Sequence, residues 1–178
     1  VRDFVKWDHQ PDSLEEFGRS AVRAYTIATT PPMAPVLIVV NAQEQKSAIG
    51  DRAPQIPPIS RPQFPSADLG SIREMARLLV NAENPVIVAD RAARTPAGIA
   101  LLVELAETLQ APVIDRRGRM NFPTRHPLNQ TESANQLIAG ADVILGLELF
   151  DFWGTVTAMR DALHRTSRSR VRPGTRLI

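Results

Sequence analysis

Three arginines are placed where they could bind an anion, because each follows a short apolar run. Arg91 and Arg94 follow residues 86–89, and Arg117 follows the run that ends at Asp115. A guanidinium makes bidentate contacts with phosphate, so these side chains could clamp an anion. A dinucleotide needs more than charge, since only a glycine backbone without Cβ approaches phosphate closely at the ends of strands.

Other reactive side chains do not assemble into a recognisable centre. His9, His126 and His164 are too scattered to predict a metal site, and no Ser-His-Asp arrangement can be argued from their spacing. The absence of cysteine excludes disulfides, thiolate metal sites and a cysteine nucleophile. The glutamates on predicted helices or on a linker are typical of a solvated face: Glu15, Glu16, Glu44, Glu104 and Glu107. We assign no catalytic residue and no metal ligand.

The arginines would be positioned by a strand-helix-strand unit. Residues 86–89, bounded by Pro85 and Asp90, predict a strand buried on both faces, and residues 111–115 repeat the pattern. Between them Thr95 can cap a helix that has proline in its first turn. Its apolar face consists of Leu102, Leu105, Ala106 and Leu109. This pattern predicts a right-handed crossover in a doubly wound parallel sheet with a Rossmann-like α/β fold.

The preceding segment predicts a short strand, a helix and a second strand. Residues 1–7 carry β-branched and apolar residues at alternate places, and residues 36–40 are an apolar run. Ser13 with Glu16 predicts a capping box for a helix that extends to about residue 28. Residues 41–65 then turn polar and proline-rich, which excludes a central strand. We interpret them as an interdomain linker rather than a proline-rich recognition ligand.

The remaining chain continues the alternation of helices and strands. Ser66 or Asp68 begins a helix whose predicted apolar stripe is Ile72, Met75, Ala76 and Leu79. The arginine-rich loop after Asp115 is too long for a simple connection and is either functional or packed on a neighbour. Further elements are predicted as a capping box (Ser133 with Gln136), a helix with apolar Ala134, Leu137, Ile138 and Ala141, a strand (142–146), a helix (155–164), a basic loop (165–172) and a strand (175–178).

Composition narrows the class of protein. Apolar residues make up 43% of the chain, enough for a core, and no run approaches the ~20 apolar residues of a membrane span. Arginine outnumbers lysine 19 to 2, yet the net charge is only +2 and aromatics are scarce. We therefore expect a cytoplasmic protein without nucleic-acid or membrane partners, and interpret the arginines of residues 160–176 as a solvated surface. For Trp153 we expect a core position first, then a subunit interface, then a ligand platform.

Several phrases together resemble thiamine diphosphate-dependent 2-oxoacid enzymes. VKWDHQP, ATTPPMAPVLIVV, AENPVIVAD, LQAPVID, NFPTRHPL, AGADVILGL and RPGTRLI follow in the order found in acetolactate synthases and benzoylformate decarboxylases. The resemblance implies that residues 1–45 are the tail of a pyrimidine-binding domain and residues 46–66 a proline-rich linker. Residues 67–178 would be a central domain, which ends inside a predicted strand and so looks truncated.

The same resemblance implies a parent enzyme that is a lyase or a transferase, works as a homo-oligomer and uses thiamine diphosphate with Mg²⁺. Its partners would be the remaining pyrimidine- and diphosphate-binding domains. The family's activating glutamate and its GDG-to-asparagine motif have no counterpart in this chain. The nearest approaches, Gly50-Asp51-Arg52 and Gly140-Ala141-Asp142, lack the second glycine. We therefore expect the fragment itself to be non-catalytic.

Some central domains of this family carry FAD or ADP, and the resemblance marks the corresponding positions here as a vestigial nucleotide pocket: Asp90, Arg91, Arg94, Arg117, Gly118 and Gly146. Met120 stands where a second glycine would be expected, and Glu148 lies where relatives often have an arginine. A carboxylate there would repel phosphate. We expect no tight binding of FAD or ADP. A nucleotide-binding module and an unrelated α/β interaction domain are the alternative hypotheses to a non-catalytic scaffold.

Overall fold

The chain divides into two units, Val1–Ser66 and Ala67–Ile178. The computed structural model describes residues 2–50, 55–60, 66–116, 120–161, 163 and 165–178. Within these ranges, none of the helices is both long enough and apolar enough to cross a membrane.

The first unit contains a parallel strand pair connected by a helix. Its elements are β1 (Trp7–His9), α1 (Leu14–Thr29), β2 (Val36–Ile38) and α2 (Ala42–Lys46). β1 pairs with β2 in parallel, with Trp7 opposite Val36. The prediction of a strand at residues 1–7 was wrong, because Arg2–Phe4 forms a 3₁₀ turn. Bonding to the β2 segment starts only where the Lys6 N–H donates to the Pro35 carbonyl at 2.7 Å.

The start of α1 confirms one half of the predicted capping box. Ser13 Oγ accepts a hydrogen bond from the Glu16 N–H at 3.2 Å. The reciprocal bond is missing, because the Glu16 carboxylate accepts from the Asp12 N–H at 2.8 Å and contacts His9 Nε2 at 3.0 Å. These contacts, with Asp12 first, hold the pKa of Glu16 below its ordinary value.

The second unit has parallel strands separated by helices up to β5 and then an antiparallel hairpin. In chain order its elements are α3 (Leu69–Val80), β3 (Pro85–Ala89), α4 (Pro96–Leu109), β4 (Val113–Asp115), α5 (Ala134–Gly140), β5 (Val143–Leu147), α6 (Phe152–Val156), β6 (Thr157–Asp161), β7 (Thr166–Ser169) and β8 (Arg176–Leu177). The described residues form a parallel sheet in the order β4-β3-β5-β8. The predicted doubly wound parallel sheet is confirmed.

This strand order creates a switch point between β3 and β5. The chain passes from β3 through α4 to β4 on one side and then returns through α5 to β5 on the other side. Ile87 of β3 accordingly lies between Val113 of β4 and Leu145 of β5. In open α/β sheets the ligand crevice lies outside the carboxyl ends of the strands at such a point.

Both faces of the sheet are covered, as the continuous apolar runs predicted. On one face Ile87 and Ala89 of β3 pack with Leu102 and Ala106 of α4. On the other, Val86 and Val88 pack with residues of α5 and β5, among them Ile138 and Ile144. Successive strand residues alternate between the two clusters because the side-chain period of a strand is two. The apolar faces predicted for α4 and α5 are confirmed.

The stripe predicted for α3 was only partly right. Asp68 caps the helix by accepting from the Ser71 N–H at 2.8 Å. Leu79 is buried and Met75 is half-buried, but Ile72 is 43% exposed and Ala76 is exposed. The helix therefore meets the core through its C-terminal half at Leu79, whereas Ile72, on the same side two turns earlier, is left exposed.

The long loop after β4 packs on the open edge of that strand. The Val113 N–H donates to the Leu128 carbonyl at 2.8 Å, and the Gln130 N–H donates to the Val113 carbonyl at 3.0 Å. The prediction of a capping box at Ser133 was wrong. Its side chain makes no capping bond, because a 3₁₀ turn, Thr131–Ser133, leads directly into α5.

The helix predicted at residues 155–164 was also wrong. α6 ends at Val156, and β6 and β7 form an antiparallel hairpin with Ala158 opposite Arg168, so the predicted basic loop contains a strand. Thr157 and Thr166 begin the two strands and favour extended backbone, and Arg165 at the turn takes a left-handed φ of 53°. Trp153 is 59% exposed, so its expected core position was wrong. The strand expected at the end of the chain is confirmed as β8.

Candidate functional site

The carboxyl ends of β3, β4 and β5 meet at one edge of the sheet. Polar and charged side chains of the loops that follow these strands gather there, together with one aromatic ring. They are Asp90, Arg91, Arg94, Asp115, Asn121, Glu148 and Phe150. We call this group the edge cluster.

Asn121 joins the loops that follow β3 and β4. Its Nδ2 donates to the Asp90 carbonyl at 2.7 Å and to Asp115 Oδ1 at 2.8 Å. Its Oδ1 accepts from the Ala93 N–H at 3.1 Å. The residue is 2% exposed, so these three bonds replace the water that the amide would otherwise bind. Asn121 is therefore the centre of a buried polar network.

The Asp115 carboxylate is used within this network. It is 7% exposed, and its second oxygen accepts from the Phe122 N–H at 3.3 Å. Its own N–H donates to Thr131 Oγ1 at 2.9 Å. A buried carboxylate is tolerated where donors surround it, so this geometry supports a role in holding the loop rather than in acid-base chemistry.

Asp90 connects the ends of β3 and β5. Its N–H donates to the Leu147 carbonyl at 3.1 Å, which extends the sheet ladder by one bond. Its Oδ2 accepts from the Phe150 N–H at 3.0 Å, and the residue is 2% exposed. The side chain therefore fills space directly above the switch point and fixes the loop that follows β5.

The two described arginines of the predicted site are also engaged. Arg94 forms an ion pair with Glu148 across the crevice, and its Nε donates to the Arg91 carbonyl at 2.6 Å. The Arg91 guanidinium lies 4.9 Å from the centre of the Phe150 ring, within the range of a cation–π contact. Side chains from both loops thus close the crevice.

The structure brings together Asp90, Arg91 and Arg94 at the sheet edge. Gly146, by contrast, lies within strand β5 and serves its packing. The Gly146 N–H donates to the Ile178 carbonyl inside the sheet, and a Cβ on it would lie 3.1 Å from side-chain atoms of Leu149 and Phe152. This glycine leaves room for packing, not for phosphate. Arg117 and Gly118, the other predicted positions, lie outside the described residues.

Met120 stands at the position where the resemblance implies a glycine. Its backbone takes a left-handed φ of 57°, the conformation that glycine adopts most easily, and its side chain is 74% exposed. Met120 therefore keeps the backbone conformation typical of glycine although it carries a side chain. The side-chain volume in the crevice comes instead from Asp90 and from the pair of Arg94 with Glu148.

A cavity beside the edge cluster has a polar lining. Its volume is about 490 Å³, and its lining contains hydroxyl, amide and carboxylate groups: Asp115, Thr124, Asn129, Gln130, Thr131, Glu132 and Ser133. Among the residues that the structure describes, its lining includes two acids and no cation, and carboxylates repel phosphate. Together with the engaged Arg91 and Arg94, these described residues do not form a cradle for a pyrophosphate.

His9 and His126, the two described histidines, each pair with one glutamate. His126 Nε2 lies 3.2 Å from Glu107 Oε1, and its ring packs edge-on against Phe122 at 4.8 Å. His126 is thus a loop contact. Across the ranges that the structure describes, no group of three His, Asp or Glu side chains could hold a metal ion.

Comparison with known proteins identifies the second unit. Residues 72–159, which contain the edge cluster and its strands, match the family described as thiamine pyrophosphate enzyme, central domain. The second unit is therefore similar to the central domain of thiamine pyrophosphate enzymes.

Individual relatives agree with this assignment. The chain is 28% identical over 155 residues to the "Probable acetolactate synthase large subunit" of Methanocaldococcus jannaschii, covering 80% of this chain and 26% of that protein. The thiamine diphosphate-dependent 4-hydroxybenzoylformate decarboxylase of Rhodococcus jostii RHA1 superposes with a TM-score of 0.64 at 26% identity. It covers 97% of this chain and 33% of that structure.

Benzoylformate decarboxylase from Polynucleobacter necessarius shares the fold, with a TM-score of 0.62 at 21% identity over 97% of this chain and 32% of that structure. The chain therefore spans about a quarter of the curated relative's length and about a third of the solved structures. The resemblance stated from the sequence motifs is confirmed at the level of the family.

The sequence did not single out the centre of the edge cluster in this central domain. Asn121 begins the phrase NFPTRHPL, which indicated the family but assigned no role to the residue, and Phe150 lies in no motif. A signal was nevertheless present, because Asp115 ends a predicted buried strand and a buried carboxylate needs donors. Asn121 is the first amide side chain in the loop that follows.

Proposed function

We propose that this chain is the scaffold part of a thiamine diphosphate-dependent enzyme that acts on 2-oxoacids, as a carboligase or a decarboxylase. The match of residues 72–159 to the family's central domain carries this proposal. The part described here is proposed to be non-catalytic. It would space the domains that hold thiamine diphosphate, and Mg²⁺ would be held in those other domains.

The two relatives above 25% identity support the substrate class. One is named as an acetolactate synthase subunit and the other as a 4-hydroxybenzoylformate decarboxylase. A carboligase and a decarboxylase of 2-oxoacids share the cofactor chemistry that thiamine diphosphate supplies, which is stabilisation of a carbanion. Neither relative decides between the two reactions for this chain.

The organisation proposed for the parent enzyme follows the family. Residues 1–45 would close a pyrimidine-binding domain, residues 46–66 would be a linker, and residues 67–178 would be most of the central domain. The partners would be the remaining cofactor-binding domains and further copies of the enzyme in a homo-oligomer. We place it in the cytoplasm, with no nucleic-acid partner.

The edge cluster supports a central domain that carries no FAD or ADP. Both described arginines contact groups of the protein itself, through Glu148 and Phe150. Asp90 adds a second carboxylate at the switch point, and carboxylates repel phosphate. On these grounds the nucleotide-binding module is the weaker hypothesis.

An activity assay and the flanking reading frame test the proposal together. The purified chain, supplied with thiamine diphosphate and Mg²⁺, should turn over neither pyruvate nor benzoylformate. The gene should encode a pyrimidine-binding segment with an activating glutamate upstream and a GDG-to-asparagine motif downstream. Cofactor-dependent turnover by the chain alone would contradict the non-catalytic role. The lack of both flanking motifs would contradict the enzyme class.

A further inference from the structure

A cavity in the first unit has a mainly apolar lining and one carboxylate. Its volume is about 490 Å³, and residues of α1, of α2 and of the segments that end β1 and β2 surround it. The apolar part of the lining consists of Pro11, Leu14, Phe17, Ile38, Val40 and Ile49. We propose that this cavity binds a small amine with an apolar body, and that the ammonium group of the ligand pairs with the Glu44 carboxylate.

The size and the lining of the cavity are the first observation. Sites for small molecules have volumes of about 300–1,000 Å³ and are mostly apolar, with a few polar groups that orient the ligand. Phe17 and Ile49 are 37% and 63% exposed, so apolar surface at the cavity stays in contact with water. A ligand with an apolar body would cover this surface, which is favourable.

The carboxylate of Glu44 is the second observation. The sequence favoured a solvated position for this residue, but the structure half-buries it. Its Oε2 is buried, and no hydrogen-bond donor in the described part of the chain reaches it. A buried oxygen without a donor destabilises the folded protein, and an ammonium group in the cavity would supply that donor. The last torsion of a glutamate side chain is broad, so the carboxylate can turn either oxygen toward the ligand.

The other polar groups of the lining are already used within the protein. Ser13 Oγ accepts from a backbone N–H at 3.2 Å, Gln45 Nε2 donates to a backbone carbonyl at 2.7 Å, and Ser47 Oγ donates to another at 2.9 Å. Among the residues that the structure describes, the lining contains no cation. The carboxylate of Glu44 therefore sets the charge of the ligand, and its field favours a cation over a phosphate.

A pair of ligands that differ only in charge tests the inference. Binding of 2-phenylethylamine and of 2-phenylethanol to the full 178-residue chain would be measured by isothermal titration at pH 7. We expect the amine to bind at ~10⁻³ M or tighter and the alcohol at least ~10-fold more weakly. Glu44→Gln, which keeps the shape of the side chain, should weaken binding of the amine at least ~10-fold and leave the alcohol unchanged.

Glu15→Gln is the matched control, because it removes an exposed carboxylate of α1 that does not line the cavity. At an ionic strength of about 0.15 M it should change the affinity for the amine less than ~2-fold. Equal binding of the amine and the alcohol would overturn the inference. Binding of the amine that is unaffected by Glu44→Gln, or is weakened as much by Glu15→Gln, would overturn it too.

Glu44→Met supplies a readout that does not depend on the ligand. It removes the carboxylate and keeps a side chain of similar length, so the first unit loses no hydrogen bond. Its melting temperature and the hydrogen exchange of the Leu37 amide in β2 should show a unit at least as stable as the wild type. A less stable unit would mean that the protein itself uses this carboxylate, and the inference would be wrong.

The inference goes beyond the proposed function and does not rest on it. Thiamine diphosphate with Mg²⁺, added in excess, should leave the affinity for the amine unchanged, because the described lining has no cation for a diphosphate. Displacement of the amine would overturn the inference. Turnover by the wild-type chain would refute the non-catalytic role alone and would leave the binding results as they are.

Discussion

Replacing Asn121 with alanine should be among the most destabilising single changes in the second unit. The substitution removes three hydrogen bonds, of 2.7, 2.8 and 3.1 Å, from a site that is 2% exposed. It leaves behind the Asp90 carbonyl, the Asp115 carboxylate and the Ala93 N–H, each without the partner that the amide supplied.

The expected loss can be estimated from these groups. A buried polar group that loses its partner costs about 1–3 kcal/mol, and water entering the space left by the amide would restore part of this. We therefore expect a decrease of about 3–5 kcal/mol in the free energy of unfolding of the second unit. Small domains have only about 5–15 kcal/mol in total, so the effect should be large in any assay.

Urea unfolding followed by circular dichroism would measure the loss, and hydrogen exchange at the Val88 and Ile114 amides would locate it in the central sheet. Gln136→Ala is the matched control, because it removes an exposed amide from α5 and should change stability by less than about 0.5 kcal/mol.

Asn121→Asp sharpens the test, because it puts a carboxylate oxygen where the amide donated to the Asp90 carbonyl and the Asp115 carboxylate. Repulsion should make this variant less stable at pH 7 than at pH 5, where the introduced carboxyl takes up a proton. A loss below about 1 kcal/mol for Asn121→Ala would refute the reasoning that this amide holds the loops together.

Two further predictions concern the strands. Gly146→Ala should lower the free energy of unfolding by about 1–2 kcal/mol, because the new Cβ would lie 3.1 Å from neighbouring side chains. Gly140→Ala is the control and should cost nothing, because a Cβ there meets no atom within 4 Å. Equal melting temperatures of the two variants would contradict this. The second prediction concerns Asp142. Burial raises the pKa of its carboxyl, but hydrogen bonds from the N–H groups of Glu83 and Asn84 outweigh this and lower the pKa below its ordinary value. The stability that the lowered pKa adds is present above the pKa of the unfolded chain and is lost as the pH falls through the pKa of the folded protein. In urea unfolding, Asp142→Ala should be about 1 kcal/mol less stable than the wild type at pH 7 and equally stable near pH 2.

The parts of the fold that could be predicted are those in which the local pattern and the tertiary structure agree. The run at residues 86–89 is apolar without interruption, and only a strand covered on both faces can bury it. Thr95 and Pro96 begin α4 where the sequence placed its start, because Thr95 Oγ1 accepts from the Gly98 N–H at 3.0 Å.

The wrong predictions arose where tertiary contacts chose between two local options. Ser133 has the sequence of a capping box, but the loop before it is tied to the edge of β4 through Leu128 and Gln130 and enters α5 by a 3₁₀ turn. The sequence pattern of residues 155–164 allows a helix, yet Thr157–Asp161 pairs with β7 in a hairpin. Such pairing depends on residues about ten positions away, which helical periodicity does not report.

At the candidate site, too, the sequence predicted where charged residues lie but not which residues they contact. The sequence placed Asp90, Arg91 and Arg94 at the carboxyl edge of the sheet, and the structure confirms where they lie. The sequence could not show that Glu148 lies across the crevice from Arg94, because the two residues are 54 positions apart and meet only through the pairing of β3 with β5. The replacement of glycines favours the prediction that phosphate has little room at this edge. The Arg94–Glu148 contact adds a second reason, because it pairs the Arg94 guanidinium within the protein and leaves less of its charge to attract an anion.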